Sequence, residues 1–185
     1  LTVYGTGDME DYWWNSTIDA NTNVKKLVIE EGITSIGSNA FAGCSSLTSI
    51  NIPNSVKSIG DEAFSGCSSL TNLDLSSFDT SNVKTMSAMF YNCIDLVSLD
   101  VANWETENVQ SFNHMFSDDG AGTMKLKNID VSNWDTSNAQ YMNDMFEGCA
   151  QLTSLDLSGW NVSKVKDMSL APEGVRKIEW VQKHM

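Results

Sequence analysis

A solenoid is the fold class this sequence predicts: stacked parallel β-strands with short helices or turns between them, about six coils, capped at the N-terminus. Two observations predict it. The first is a period, marked by Phe41, Phe64, Phe90, Phe116 and Phe146 at intervals of 23, 26, 26 and 30 residues. A repeat of about 20 to 30 residues is the mark of coils that bury a face only against their neighbours. The second is that four of these phenylalanines head one step. Phe41-Ala42-Gly43-Cys44, Phe64-Ser65-Gly66-Cys67, Phe90-Tyr91-Asn92-Cys93 and Phe146-Glu147-Gly148-Cys149 place all four cysteines at a single repeat position.

The elements follow in order. Residues 1–26 read as an N-terminal cap, with Leu1 and Val3 inward and Trp13 or Trp14 sealing the first coil. Residues 27–72 hold two short units, Ile33, Ile36, Ala40, Phe41 matched by Val56, Ile59, Ala63, Phe64, where Gly37 and Gly60 leave room for about one helical turn. Residues 73–168 hold longer units with a new header: Leu73-Asp74-Leu75, Leu99-Asp100-Val101, Ile129-Asp130-Val131 and Leu155-Asp156-Leu157. That in–out alternation predicts short half-buried strands stacked into a parallel sheet. Val83, Met86, Met89, Phe90 and Cys93 have helical spacing instead, which predicts a short helix or tight turn packed across from the sheet. The fourth coil carries a four-residue insertion around Asp118. In residues 169–185, Pro172, Glu173, Val175, Ile178 and Val181 suit an amphipathic cap helix over the last coil, or an unrelated extension.

Composition bounds the partners. The chain has 185 residues, 41% of them hydrophobic, enough for one core. A net charge of −13 argues against nucleic acid, and the same field would repel an anionic membrane. No stretch of about 18 apolar residues exists to cross a bilayer, so direct membrane insertion is not expected. The sequence starts at Leu1 with no basic and apolar leader, which places any signal or anchor outside it.

Stacking turns each repeated residue into a column, so chemistry is read column by column. Asp74, Asp100, Asp130 and Asp156 lie between inward residues and should face solvent, as a solvated acidic stripe or as a recruiter of Ca²⁺. The best single loop for Ca²⁺ is Asp118-Asp119-Gly120-Ala121-Gly122, although it lacks the Asp-x-Asp-x-Asp-Gly spacing of a dedicated site. Trp104, Trp134 and Trp160, aligned with Phe78, form a binding platform if exposed and a packing layer if buried. The methionine column of Met86, Met89, Met115, Met142, Met145 and Met168 reads as packing. Asn82, Asn108 and Asn138 read as structural, satisfying backbone groups where strands turn. Cys44, Cys67, Cys93 and Cys149 have no CxxC pairing for zinc and read as buried, inert thiols, with a bond between neighbouring rungs the alternative. No metal-ligand set is assigned and no cofactor is expected. His114 and His184 stand 70 positions apart, with no Gly-x-Ser-x-Gly elbow, His-Glu-x-x-His or Walker loop, so the chain does not read as an enzyme.

These repeats carry a resemblance. Ile33-x-x-Ile36-Gly37-x-x-Ala40-Phe41-x-Gly43-Cys44-x-x-Leu47 resembles the BspA-type leucine-rich repeats of bacterial surface proteins. Leu73-Asp74-Leu75-Ser76-x-Phe78-Asp79-Thr80-Ser81-Asn82-Val83, with its following Met89-Phe90-x-x-Cys93, is similar to companion repeats of unknown function in surface lipoproteins of mycoplasmas and gut bacteria. The likeness spans about residues 1–168 and lapses where Ser117-Asp118-Asp119 replaces the x-x-Cys step and where Ala171-Pro172 replaces Met-Phe. It implies a leucine-rich-repeat-like solenoid and an extracellular or cell-surface location. The implied role is a non-catalytic binding module, acting as a monomer in adhesion to host protein such as fibronectin or fibrinogen, to other bacteria or to glycan. A spacer or stalk that presents other modules, stabilised by calcium in one variant, is the alternative it leaves.

Overall fold

A computed structural model describes residues 1–11, 23–75, 78–118 and 121–167. The coils are counted here by their phenylalanines, from Phe41 in the first to Phe146 in the fifth. Trp13 and Trp14, Met168 and the cap helix expected over 169–185 fall outside the described residues.

Strands come in two ribbons rather than one. In the first, β1 (Thr2–Val3), β3 (Lys26–Ile29) and β5 (Ser49–Asn51) pair in parallel. In the second, β2 (Gly7–Asp8), β4 (Ile33–Ile36) and β6 (Ser58–Ile59) do the same. Residues 1–11 thus supply the leading rung of both ribbons. Val3 points inward as its alternation predicts, whereas Leu1 is 47% exposed, because its amine is spent on the Lys26 carbonyl at 2.8 Å at the edge of that rung. Beyond the second coil the ribbons thin to single parallel bridges, Thr85 to Ser111 to Tyr141 to Asp167 and Ser98 to Asn128. Coil thus follows coil in one direction, as solenoid stacking requires.

The third face holds no helix among the described residues; the run at helical spacing is a staircase of turns. The N–H groups of Asn39, Phe41 and Gly43 donate to the carbonyls of Asp61, Ala63 and Ser65 in the next coil. Those of Ala40, Ala42 and Cys44 instead reach back three residues. A helix needs every N–H on its own fourth-preceding carbonyl, and here every second one is committed to the neighbouring coil. The backbone accommodates this with left-handed residues at two repeat positions: Asn39, Glu62, Ala88, His114 and Asp144 have φ between 50° and 58°, and four residues on Gly43, Gly66, Asn92 and Gly148 have φ between 55° and 79°. Such conformations cost an L-residue about 1 kcal/mol or more each, so the inter-coil bonds must outweigh them. Coils also approach closely at Gly60, where a Cβ would lie 2.5 Å from the Ser38 nitrogen.

Inside, Phe41, Phe64, Phe90, Phe116 and Phe146 form one file with centroids 5.9, 6.0, 5.6 and 5.5 Å apart. The cysteines lie beside it, all buried and all free. The thiols of Cys67, Cys93 and Cys149 donate to the carbonyls of Phe41, Phe64 and Phe116 at 3.3, 3.1 and 3.0 Å. Met86, Met89, Met115, Met142 and Met145 are buried in the same core, which runs without a break from Val3 to Trp160.

Candidate functional site

The longer coils place their acidic residues by a two-residue corner. In the second of the four headers Leu99 and Val101 point inward and Asp100 outward; Ala102 and Asn103 then bend the chain, so that Trp104, Thr106 and Val109 turn inward again. Asp74, Asp100, Asp130 and Asp156 are all exposed, at equivalent places in successive coils. The Oδ1 atoms of Asp100, Asp130 and Asp156 accept the backbone N–H two residues on, from Ala102, Ser132 and Ser158, at 3.4, 3.1 and 2.9 Å. Each carboxylate therefore closes the corner that aims its own coil. The Ser132 and Ser158 hydroxyls and N–H groups hold Asp130 and Asp156 below the usual carboxylate value, and for Asp130 this outweighs the opposing charge of Asp156. Donors built into each corner offset the repulsion that a file of like charges creates.

A second file, not singled out from the sequence, runs beside the first. Asp79, Glu105 and Asp135 are exposed, each five residues after a header aspartate, with Asn161 in their place in the last coil. Asp79 and Asp135 likewise accept the N–H of Ser81 and Ser137, at 3.0 and 2.9 Å; the Ser81 hydroxyl and N–H hold Asp79, and the Ser137 N–H and hydroxyl hold Asp135, below the usual carboxylate value. The fixed offset of five was the signal in the sequence that would have found them. Between the files the polar residues are structural. Thr106 and Thr136 are 1% exposed and donate to the carbonyls of Asp135 and Asn161 at 3.1 Å. Asn108 and Asn138 donate to the Ser81 and Glu107 carbonyls of the preceding coil at 2.7 and 2.8 Å.

The tryptophan column is inside. Trp104, Trp134 and Trp160 are 5, 2 and 9% exposed, and their ring faces stack on one another at 6.0 and 6.4 Å. These indoles make a packing layer and offer no platform to a ligand, because the corner before each has reversed the alternation that would have left it outside. Trp134 and Trp160 donate through Nε1 to the carbonyls of Val101 and Val131 at 3.0 Å, while Trp104 Nε1 is buried with no partner among the described residues.

The inserted loop of the fourth coil works in the opposite sense to a calcium site. Asp118 is 2% exposed, and its carboxylate accepts from the N–H groups of Gly122, Thr123 and Met124 and from the Thr123 hydroxyl at 2.6 to 3.3 Å. Burial alone would raise its pKa, but those donors prevail and hold it below the usual value. Its oxygens are thus committed to closing the loop. They also lie where a Cβ on Gly148 would have to sit, which binds the insertion to the fifth coil.

Among solved structures the chain is similar to a leucine rich cell surface protein from Faecalibacterium prausnitzii A2-165, at 20% identity and a TM-score of 0.51, over 82% of this chain and 42% of that one. It is also similar to a leucine rich repeat protein of T. pallidum, at 17% identity and a TM-score of 0.46, over 90% and 64% of the two chains. A leucine-rich repeat protein from Eubacterium ventriosum ATCC 27560 gives 17% and 0.38, over 86% and 55%. The chain thus spans less than two thirds of the length of each. The first likeness shows the fold, a stacked parallel solenoid of the bacterial leucine-rich-repeat kind. No helix among the described residues is long and apolar enough to cross a membrane. No curated protein matches this sequence. A family model does, over residues 38–126 and 57–179, and by it this chain belongs to the family described as Mycoplasma protein of unknown function, DUF285.

Proposed function

We propose that this chain is a non-catalytic binding module of a bacterial cell surface, BspA-like in its first repeats, that engages a basic patch on an extracellular protein. The observation that carries this reading is the pair of exposed acidic files, Asp74, Asp100, Asp130, Asp156 and Asp79, Glu105, Asp135, held rigidly at coil spacing. A rigid array of like charges matches a partner that presents opposite charge over several coils, and it steers that partner from a distance. The cell-surface description of the Faecalibacterium protein with the shared fold supports the location. Burial of the tryptophans removes the main argument for a glycan platform and leaves a protein partner, met by a monomer, as the better reading. The same charge disfavours nucleic acid and anionic membrane. One observation favours a second reading, a spacer that presents other modules: the rings of Trp104, Trp134 and Trp160 are all buried.

The test is an array of host extracellular proteins, fibronectin and fibrinogen among them, probed with the folded chain. Binding should saturate, weaken several-fold between 50 and 500 mM salt, and fall at least about tenfold when Asp74, Asp100, Asp130 and Asp156 are all changed to Asn. A blank array from a folded chain would overturn this reading in favour of the spacer.

A further inference from the structure

One group of side chains stands apart from both the core and the acidic files. On the staircase face, one ligand atom from each of His114, Asp144 and Glu147 lies within 4.8 Å of the others. His114 Nε2 is 3.8 Å from Asp144 Oδ2. The Asn143 amide nitrogen reaches both, at 3.2 Å from the imidazole nitrogen and 3.3 Å from the carboxylate oxygen. The two N–H bonds of one amide nitrogen thus face the two ligand atoms, the place a cation would take. Turned over, the same carboxamide would direct its oxygen there, making a fourth ligand atom. Two atoms of the group are buried with no hydrogen-bond partner, His114 Nδ1 and Asp144 Oδ1. A buried, unpartnered carboxylate oxygen is costly in a folded protein, and a metal ion held by both oxygens of Asp144 would satisfy it. Among the described residues neither Asp144 nor Glu147 meets a lysine or arginine. The His114 and Asp144 side chains are 38% and 14% exposed, so the group is sheltered yet reachable.

The repeat does not demand these residues. The position of His114 and Asp144 is held by Ala88 in the third coil and Asn39 in the first, and that of Glu147 by Ala42 and Ser65. Glu62 holds the first of these two positions in the second coil, but with Ser65 at the other; both carry ligating side chains together only where the fourth and fifth coils meet. We propose that His114, Asp144 and Glu147, completed by Asn143, bind one divalent transition-metal ion of the zinc class across those two coils. An imidazole with two carboxylates suits zinc or cobalt better than calcium, whose sites are built of oxygen alone. Ligand atoms about 2.1 Å from such an ion stand roughly 3.4 Å apart, so binding draws the three side chains together by about an ångström.

The experiment titrates ZnCl₂ into the chelator-treated full chain by calorimetry and repeats it with CoCl₂ by visible absorption. One equivalent should bind, and the cobalt spectrum should show d–d bands without a thiolate charge-transfer band. His114→Ala and Asp144→Asn install residues that the chain itself carries at this position elsewhere, so both should melt like the metal-free parent. Each should bind at least about 100-fold more weakly, since even outer-shell partners of metal sites cost 10- to 100-fold. The Asp130→Asn/Asp156→Asn variant should bind like the parent. The proposal is overturned by the absence of saturable binding, by binding that survives both single substitutions in a folded chain, or by a thiolate band, which would move the metal to the cysteines.

Discussion

Asp118 shows what one residue settles at this scale. It is a buried anion whose four hydrogen-bond donors all come from the loop it closes, so its charge is part of the fourth coil's structure. Removing the charge while keeping the shape, in Asp118→Asn, should cost about 2 to 3 kcal/mol at neutral pH, measured by urea unfolding. The pH dependence follows from the depressed pKa. The folded carboxyl ionises below its ordinary 3.8, so the unfolded chain takes up the proton first as pH falls. The stabilisation is complete above that value and is lost as pH drops through the folded pKa. The parent's urea midpoint should therefore fall between pH 5 and pH 3, and that of Asp118→Asn should fall less. The sequence singled out this aspartate for its flanking glycines and read them as a cation loop. The residues that count, Thr123 and the N–H groups beside it, become visible as an anion cradle only once the chain has turned.

At the scale of the element, the aromatic ladder has one imperfect rung. Trp134 and Trp160 each tie their indole to the preceding header strand, while Trp104 buries the same N–H unpaired above Phe78, which it meets edge-on at 5.3 Å and 80°. Trp134→Phe should cost about 1 to 2 kcal/mol more than Trp104→Phe, because only the first loses a hydrogen bond and the second sheds an unpaired donor. Equal losses in urea unfolding would contradict that account. The ladder also shows why part of the structure was legible and part was not. Alternation at Leu99, Asp100 and Val101 fixes which way the aspartates face, and the period fixes which residues stack. The two-residue corner that sends Trp104 inward has no strong turn signature in Ala102-Asn103. The staircase imitates a helix because its inward residues fall at the same three- and four-residue spacings. Its first left-handed position is filled by Asn, Glu, Ala, His and Asp, and only the second, four residues on, carries glycines, at Gly43, Gly66 and Gly148. The group around His114 becomes legible only when the coils are aligned on their phenylalanines, which brings His114 and Asp144 into one column.

Across the whole molecule the core is continuous, so no coil has an interior of its own. The cysteines sample it from the first coil to the fifth. Burial pushes the Cys93 thiol up to about 12. Burial, with the Asp118 charge beside it, pushes Cys149 higher still, and the sulfur of Cys44, together with burial, raises Cys67. An aromatic disulfide reagent at neutral pH should find no reactive thiol in the native chain and all four once denaturant unfolds it. Thiols that appear one at a time would show instead that the coils open separately. The staircase gives the array one more property. At four successive steps of this face three or four N–H groups point toward the later coil and as many carbonyls toward the earlier one. Peptide dipoles aligned in this way add along the axis, as they do in a helix. The staircase face is therefore polar along the axis, positive toward the late coils, while the other faces, where Gln110 donates to Lys84 and Lys166 to Gln140, run the opposite way, so the two sides of the solenoid carry opposed dipoles that offset one another.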